Sequence, residues 1–138
     1  MARSYYDLNV GTRRVLIVDD EPQLADILRL FLDHLGYEAS VSGSADGAWL
    51  EVEADPAAHD LVVIDMSLPG MRGDELARRV LERAPRTRVI ITSGYPTDVR
   101  ALEAMAPGRV AFLHKPFTPE MLEAALRRLA EPPAGSVV

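Results

Sequence analysis

The sequence predicts an α/β domain: five β-strands in a parallel sheet, with helices packed on both of its faces. Two observations carry this. Four short apolar runs recur along the chain, each continuous rather than alternating, as strands buried on both faces of a parallel sheet read. Segments between them repeat their apolar residues at helical spacing. Strand and helix in alternation imply a parallel sheet with right-handed crossovers.

In chain order, residues 1–12, with Tyr5 and Tyr6, read as a flexible lead-in. The first strand is Val15-Leu16-Ile17-Val18. A helix follows, because Leu24, Ile27, Leu28, Phe31, Leu32 and Leu35 form one stripe at helical period, with Pro22 in its first turn and Gly36 as its stop. Tyr37 to Val41 alternates apolar and polar residues and suits an edge strand. Ala45 to Glu53 is a shorter helix, with Trp49 expected to pack on the sheet. Leu61-Val62-Val63-Ile64 is the third strand, followed by a helix on Leu76, Ala77, Val80 and Leu81, opened by Asp74 and closed before Pro85. Val89-Ile90-Ile91 is the fourth strand, and Thr97 to Met105 a short helix. Val110-Ala111-Phe112-Leu113 is the fifth, and Met121, Leu122, Ala125, Leu126 and Leu129 mark the last helix, with Thr118 as N-cap and Pro119 just inside. The domain thus spans residues 13–130, and residues 131–138 (EPPAGSVV) read as a tail or linker stub.

At 138 residues and 48% hydrophobic content, the chain has enough material for one domain with its own core. The absence of cysteine excludes disulfides and thiolate metal sites. A net charge of −6 argues against direct nucleic-acid binding. No apolar run approaches the roughly 18–20 residues needed to span a bilayer, and the start of the chain lacks a secretory apolar core, so no membrane association and a cytoplasmic location are expected.

Polar residues gather at one end of the strands. Asp19 and Asp20 follow the first run directly, Asp65 ends the third, Thr92 and Ser93 end the fourth, and Lys115 lies two residues past Leu113. Sites in open parallel sheets form outside the carboxyl ends of the strands, so these residues are expected at one rim. Three clustered carboxylates repel unless a cation compensates, and Mg²⁺ is the natural partner for oxygen ligands beside a phosphate. A carboxylate can also be a nucleophile in phosphoryl transfer, with Mg²⁺, the Lys115 ammonium and the Ser93 hydroxyl neutralising the phosphoryl oxygens. No GxxxxGK[ST] loop is present, which argues against a nucleoside triphosphate as donor.

The stretches V-L-I-V-D-D-E-P (15–22), V-V-I-D-M-S-L-P-G-M-R-G (62–73), I-T-S-G-Y (91–95) and F-L-H-K-P-F (112–117) together resemble the receiver domain of two-component response regulators. The resemblance runs from about Arg14 to Leu129 and implies a flavodoxin-like fold with strand order 2-1-3-4-5. It implies Asp65 as phospho-acceptor, with Asp20, Asp65 and the Ser67 backbone carbonyl as Mg²⁺ ligands and Asp19 acting through water. Ser93 matches the switch hydroxyl, Lys115 the phosphate partner, and Phe112 the aromatic switch position, where the family more often has Tyr. Lys115-Pro116 is expected to be cis. Ser67 and Tyr95 fall where the family tunes dephosphorylation. The implied donor is a histidine kinase or a histidine phosphotransfer protein. The implied role is a signalling phospho-acceptor, not an enzyme acting on other molecules. A homodimer through the fourth helix, fifth strand and last helix is compatible with Arg127 and Arg128.

Other readings stay open at this stage. The same fold can serve as a phosphorylation-independent binding module, although such modules usually lose one of the residues present here. A phosphatase-like hydrolase would place D-x-D at the first strand and add a cap domain, and a flavin site would need a Gly- and hydroxyl-rich loop where Asp19-Asp20-Glu21-Pro22 stands. Met71 reads as loop cover, and His34, His59 and His114 as surface or packing residues.

Overall fold

The computed structural model describes residues 13–130, so the expected lead-in and tail, including Tyr5 and Tyr6, lie outside the described residues. Ten elements alternate: β1 (Arg13–Val18), α1 (Pro22–His34), β2 (Tyr37–Ser42), α2 (Ala45–Ala54), β3 (Leu61–Asp65), α3 (Gly73–Arg83), β4 (Arg88–Ser93), α4 (Arg100–Met105), β5 (Val110–His114) and α5 (Pro119–Ala130). All strand pairs are parallel and the order is β2-β1-β3-β4-β5, as the resemblance implied.

The pleat sends successive side chains to opposite faces. Val15, Ile17, Val63, Ile90, Ala111 and Leu113 therefore meet Leu28 and Leu32 of α1 and Leu122 and Leu126 of α5. Leu16, Val18, Val62, Ile64, Val89 and Ile91 meet α2, α3 and α4 on the other face. This explains the unbroken apolar runs: β3 has no exposed face at all. Each aliphatic side chain fully removed from water contributes roughly 1.5–3 kcal/mol, enough to fix the strand register against slippage.

The helix ends follow local chemistry. Pro22 opens α1, and Gly36 follows its end with φ 96°, a left-handed conformation that glycine adopts without side-chain strain. The Thr118 hydroxyl accepts the Met121 N–H at 3.1 Å, the expected cap of α5. The α1 stripe forms the expected helix, with Leu28 and Leu32 buried and Leu24 and Ile27 41% and 48% exposed. One expectation is corrected. The helix expected from Thr97 begins only at Arg100, because the Asp98 carboxylate accepts the Arg100 N–H at 3.0 Å and turns the chain first. Trp49 packs half-buried against the core, with the Arg79 guanidinium 5.8 Å over its ring. Among the described residues, no helix is long and apolar enough to cross a membrane.

Candidate functional site

Three hydrogen bonds past the strand ends hold the rim together. The Asp19 N–H donates to the Ser42 carbonyl (3.2 Å), Met66 to Thr92 (2.8 Å) and Lys115 to Ser93 (2.7 Å). Together with the pairing of β1 on β3, they set residues from four distant stretches side by side at the carboxyl ends of β1, β3, β4 and β5.

Lys115 is the centre of the group. Its ammonium lies 3.5 Å from Asp19 Oδ2 and 3.3 Å from Asp65 Oδ2. The other oxygen of each acid is held by backbone two residues on: Asp19 Oδ1 accepts the Glu21 N–H at 2.9 Å, and Asp65 Oδ1 accepts the Ser67 N–H at 3.1 Å. Asp19 and Asp65 are buried, at 7% and 5% exposure. Burial pushes the Asp19 carboxyl above its ordinary range, against the pull of the Glu21 N–H and of Lys115.

Glu21 completes a group of three carboxylates, since oxygens of Asp19, Glu21 and Asp65 all lie within 4.8 Å of one another. With Lys115 as the cation between them, two negative charges remain uncompensated. A hard divalent cation matches that deficit and that oxygen donor set. Glu21 was not among the residues expected at this rim. Asp20 is not in this group; it lines a cavity of about 710 Å³ beside it, with Ser67 and Tyr95. Nothing in the run Asp19-Asp20-Glu21 marks which carboxylates approach Asp65, because the turn after β1 breaks the strand's alternation; Glu21 does so while exposed. The one legible signal was Pro22, which ends that turn by opening α1 directly after Glu21.

Ser93 is fully buried at the end of β4, and its hydroxyl accepts the Tyr95 N–H at 3.2 Å. Thr92, directly across from Asp65 in register, is also buried. Ser67 Oγ and the Tyr95 hydroxyl stand 2.9 Å apart, a bridge between the β3–α3 and β4–α4 loops that the sequence did not foretell. Phe112 packs half-buried on the α2–α4 face, its ring edge-on to His114 with centroids 6.4 Å apart. The Lys115–Pro116 peptide is cis.

The β3–α3 loop depends on glycine. At Gly73 a Cβ would stand 2.5 Å from the Asp65 carbonyl oxygen and 2.7 Å from the Met66 Cα, so only glycine lets α3 start this close to the acid. On the α1 side, Leu24, Ile27, Phe31 and Phe117 wall an apolar cavity of about 380 Å³ that reaches Asp19 and Lys115.

Comparison with known proteins places these residues in a family context. The family model of the response regulator receiver domain matches residues 15–127. The response regulator GtcR of Aneurinibacillus migulanus is 32% identical over 124 residues, covering 87% of this chain and 50% of its own. The chemotaxis protein CheY of Thermotoga maritima is 29% identical over 120 residues, covering 86% of this chain and 98% of its own. A solved receiver domain protein from Methanospirillum hungatei JF-1 superposes with a TM-score of 0.74 at 28% identity, covering 86% of this chain and 94% of that one. The chain spans about half the length of the first curated relatives it matches.

Proposed function

The chain belongs to the response regulator receiver domain family, and on that premise we propose that it is a phosphorylation switch whose acceptor is Asp65. The observation that carries this reading is the position of Lys115, in contact with both Asp19 and Asp65 although nearly the whole domain separates it from Asp19. A lysine on two buried acids is costly to maintain for stability alone. It is useful where one of those acids gains phosphoryl oxygens.

The donor is a phosphohistidine on a histidine kinase or phosphotransfer protein. A carboxylate oxygen of Asp65 attacks phosphorus, the P–N bond breaks, and the imidazole leaves with the electron pair and takes up a proton. The carboxylate becomes an acyl phosphate. The Ser67 N–H on Asp65 Oδ1 fixes the carboxylate plane, so Oδ2 is the oxygen presented for attack. Lys115 then pairs with the arriving oxygens. Leu24 and Ile27, exposed beside the acids, offer apolar contact to a protein donor.

The residues present fit Mg²⁺: Asp65 with Asp19, Asp20 and Glu21 would hold it, together with the Ser67 backbone carbonyl, Asp19 acting through water. When bound, Mg²⁺ supplies positive charge to the phosphoryl oxygens. The Ser93 hydroxyl accepts the Tyr95 N–H and keeps its own proton to donate to a phosphoryl oxygen. Drawing Ser93 toward the phosphate shifts the β4–α4 loop, and Phe112 moves inward behind it. The surface that changes is α4, β5 and α5, the face offered to an output partner or a second copy. The protein acts on its own phosphate alone.

Incubation with acetyl phosphate and Mg²⁺ is expected to add one acid-stable, base-labile phosphoryl group, and Asp65→Asn to add none. Equal labelling of the variant would move the acceptor elsewhere.

A further inference from the structure

At the amino ends of the strands, opposite Asp65, a cavity of about 260 Å³ opens between the sheet and α5. Leu61, Leu126 and Leu129 give it an apolar wall, and Arg86 and Arg88 give it charge. Arg13 and Tyr37, which also line it, are already engaged in contacts of their own.

Arg88 is the unusual member. Its Nε is buried and has no hydrogen-bond partner among the described residues. Its charge bears on a second guanidinium, that of Arg109, whose pKa is lowered first by burial and then by Arg88. Arg109 has acceptors in the carbonyls of Leu81, Ala84 and Thr87, and Arg88 Nε has none. A buried N–H on a charged group without an acceptor is costly, and native proteins supply one from water or a ligand.

The surroundings narrow the ligand class. Arg13, Arg86 and Arg88 outnumber Asp60 in the lining, so the cavity carries a net positive charge and favours an anion. Guanidinium and carboxylate match in planar, two-point geometry. The leucine wall favours an apolar stem, and the volume keeps it short. We propose that this cavity binds a small carboxylate on a short apolar stem, held by Arg86 and Arg88 and packed against Leu126 and Leu129. The site is independent of the phosphorylation reading.

The test is an NMR titration of the full 138-residue chain with sodium valerate at constant ionic strength. Saturable shifts are expected at the Arg88 Nε–H and the Leu126 and Leu129 methyls. Pentanol is expected to leave Arg88 unmoved, and inorganic phosphate to bind more weakly. Arg86 is exposed, so Arg86→Ala keeps the fold and weakens binding roughly tenfold, the loss of one charge-assisted contact. Arg128→Ala, outside the cavity, leaves affinity unchanged. Shifts that never saturate, equal shifts with sodium chloride, or an Arg86→Ala chain of unchanged affinity would each overturn the site. Phosphate binding as tightly as valerate would overturn the ligand class. Asp65→Asn is expected to bind valerate normally, which separates failure here from failure at Asp65.

Discussion

At the carboxyl ends of the strands Lys115 stands between Asp19 and Asp65, whereas at the amino ends Arg109 stands among the carbonyls of Leu81, Ala84 and Thr87. Both cations are partly buried and both join distant segments, but they leave their surroundings in different states. Arg109 meets the carbonyl end of α3, where a cation complements the helix dipole and the last acceptors are satisfied locally. Lys115 meets more negative charge than it can balance. The lesson is that a cation satisfied by neutral acceptors completes a fold, whereas one facing surplus charge leaves a site prepared for chemistry.

The largest expected effect tests the first half of this contrast. Arg109→Met strips three carbonyls of a donor and is expected to cost about 3 kcal/mol in urea unfolding, with labelling of Asp65 unchanged while the protein stays folded. A loss of labelling in the folded variant would mean that the two ends are coupled.

Gly73→Ala works from the other end. The added methyl must displace the backbone at Asp65 and Met66, which is expected to cost about 2 kcal/mol through overpacking. Unlike the change at Arg109, it is expected also to slow labelling by acetyl phosphate, measured under conditions where the variant is folded.

Asp19→Asn sharpens the comparison by reversing the usual sign. Burial raises the Asp19 pKa above 3.8, so its ionised form is disfavoured in the folded state. The stability it lends is full below 3.8 and is lost as pH rises through the folded value. Without Mg²⁺ at pH 7, the asparagine variant is therefore expected to be more stable by about 1 kcal/mol, and weaker in Mg²⁺ binding by calorimetry. A less stable variant would show that Lys115 more than compensates the burial.

The smallest effect lies at the arginine end and runs the opposite way with pH. Burial lowers the His59 pKa below 6.5, and among the described residues its Nδ1 has no hydrogen-bond partner. Its stability contribution is present above 6.5 and lost as pH falls through the folded value. Replacement by glutamine is expected to flatten the pH dependence of the urea midpoint in that window.

Much of this was legible in the chain. The short unbroken runs at 15–18, 61–64, 89–91 and 110–113 read as strands covered on both faces, which goes with alternating helices and a parallel sheet. Parallel strands in turn send their carboxyl ends to one rim, so the convergence of Asp19, Asp65, Ser93 and Lys115 followed from the pattern of runs. Thr118 and Gly36 were readable because a cap and a left-handed turn are local events, decided within a few residues.

What stayed hidden depends on neighbours distant in sequence. The α1 stripe has six apolar positions, but one sheet face can cover only part of a helix, so Leu24 and Ile27 face outward beside the acids. Among Asp19, Asp20 and Glu21 the residue types are alike; that buried Asp19 and exposed Glu21 are the ones to approach Asp65 is decided by where the turn lays them. The Ser67–Tyr95 bridge and the Arg88 Nε, without an acceptor among the described residues, likewise arise from loops and strand ends meeting in space. Periodicity sets which face of an element is apolar, but the burial and pairing of each polar group depend on atoms that only the assembled sheet supplies.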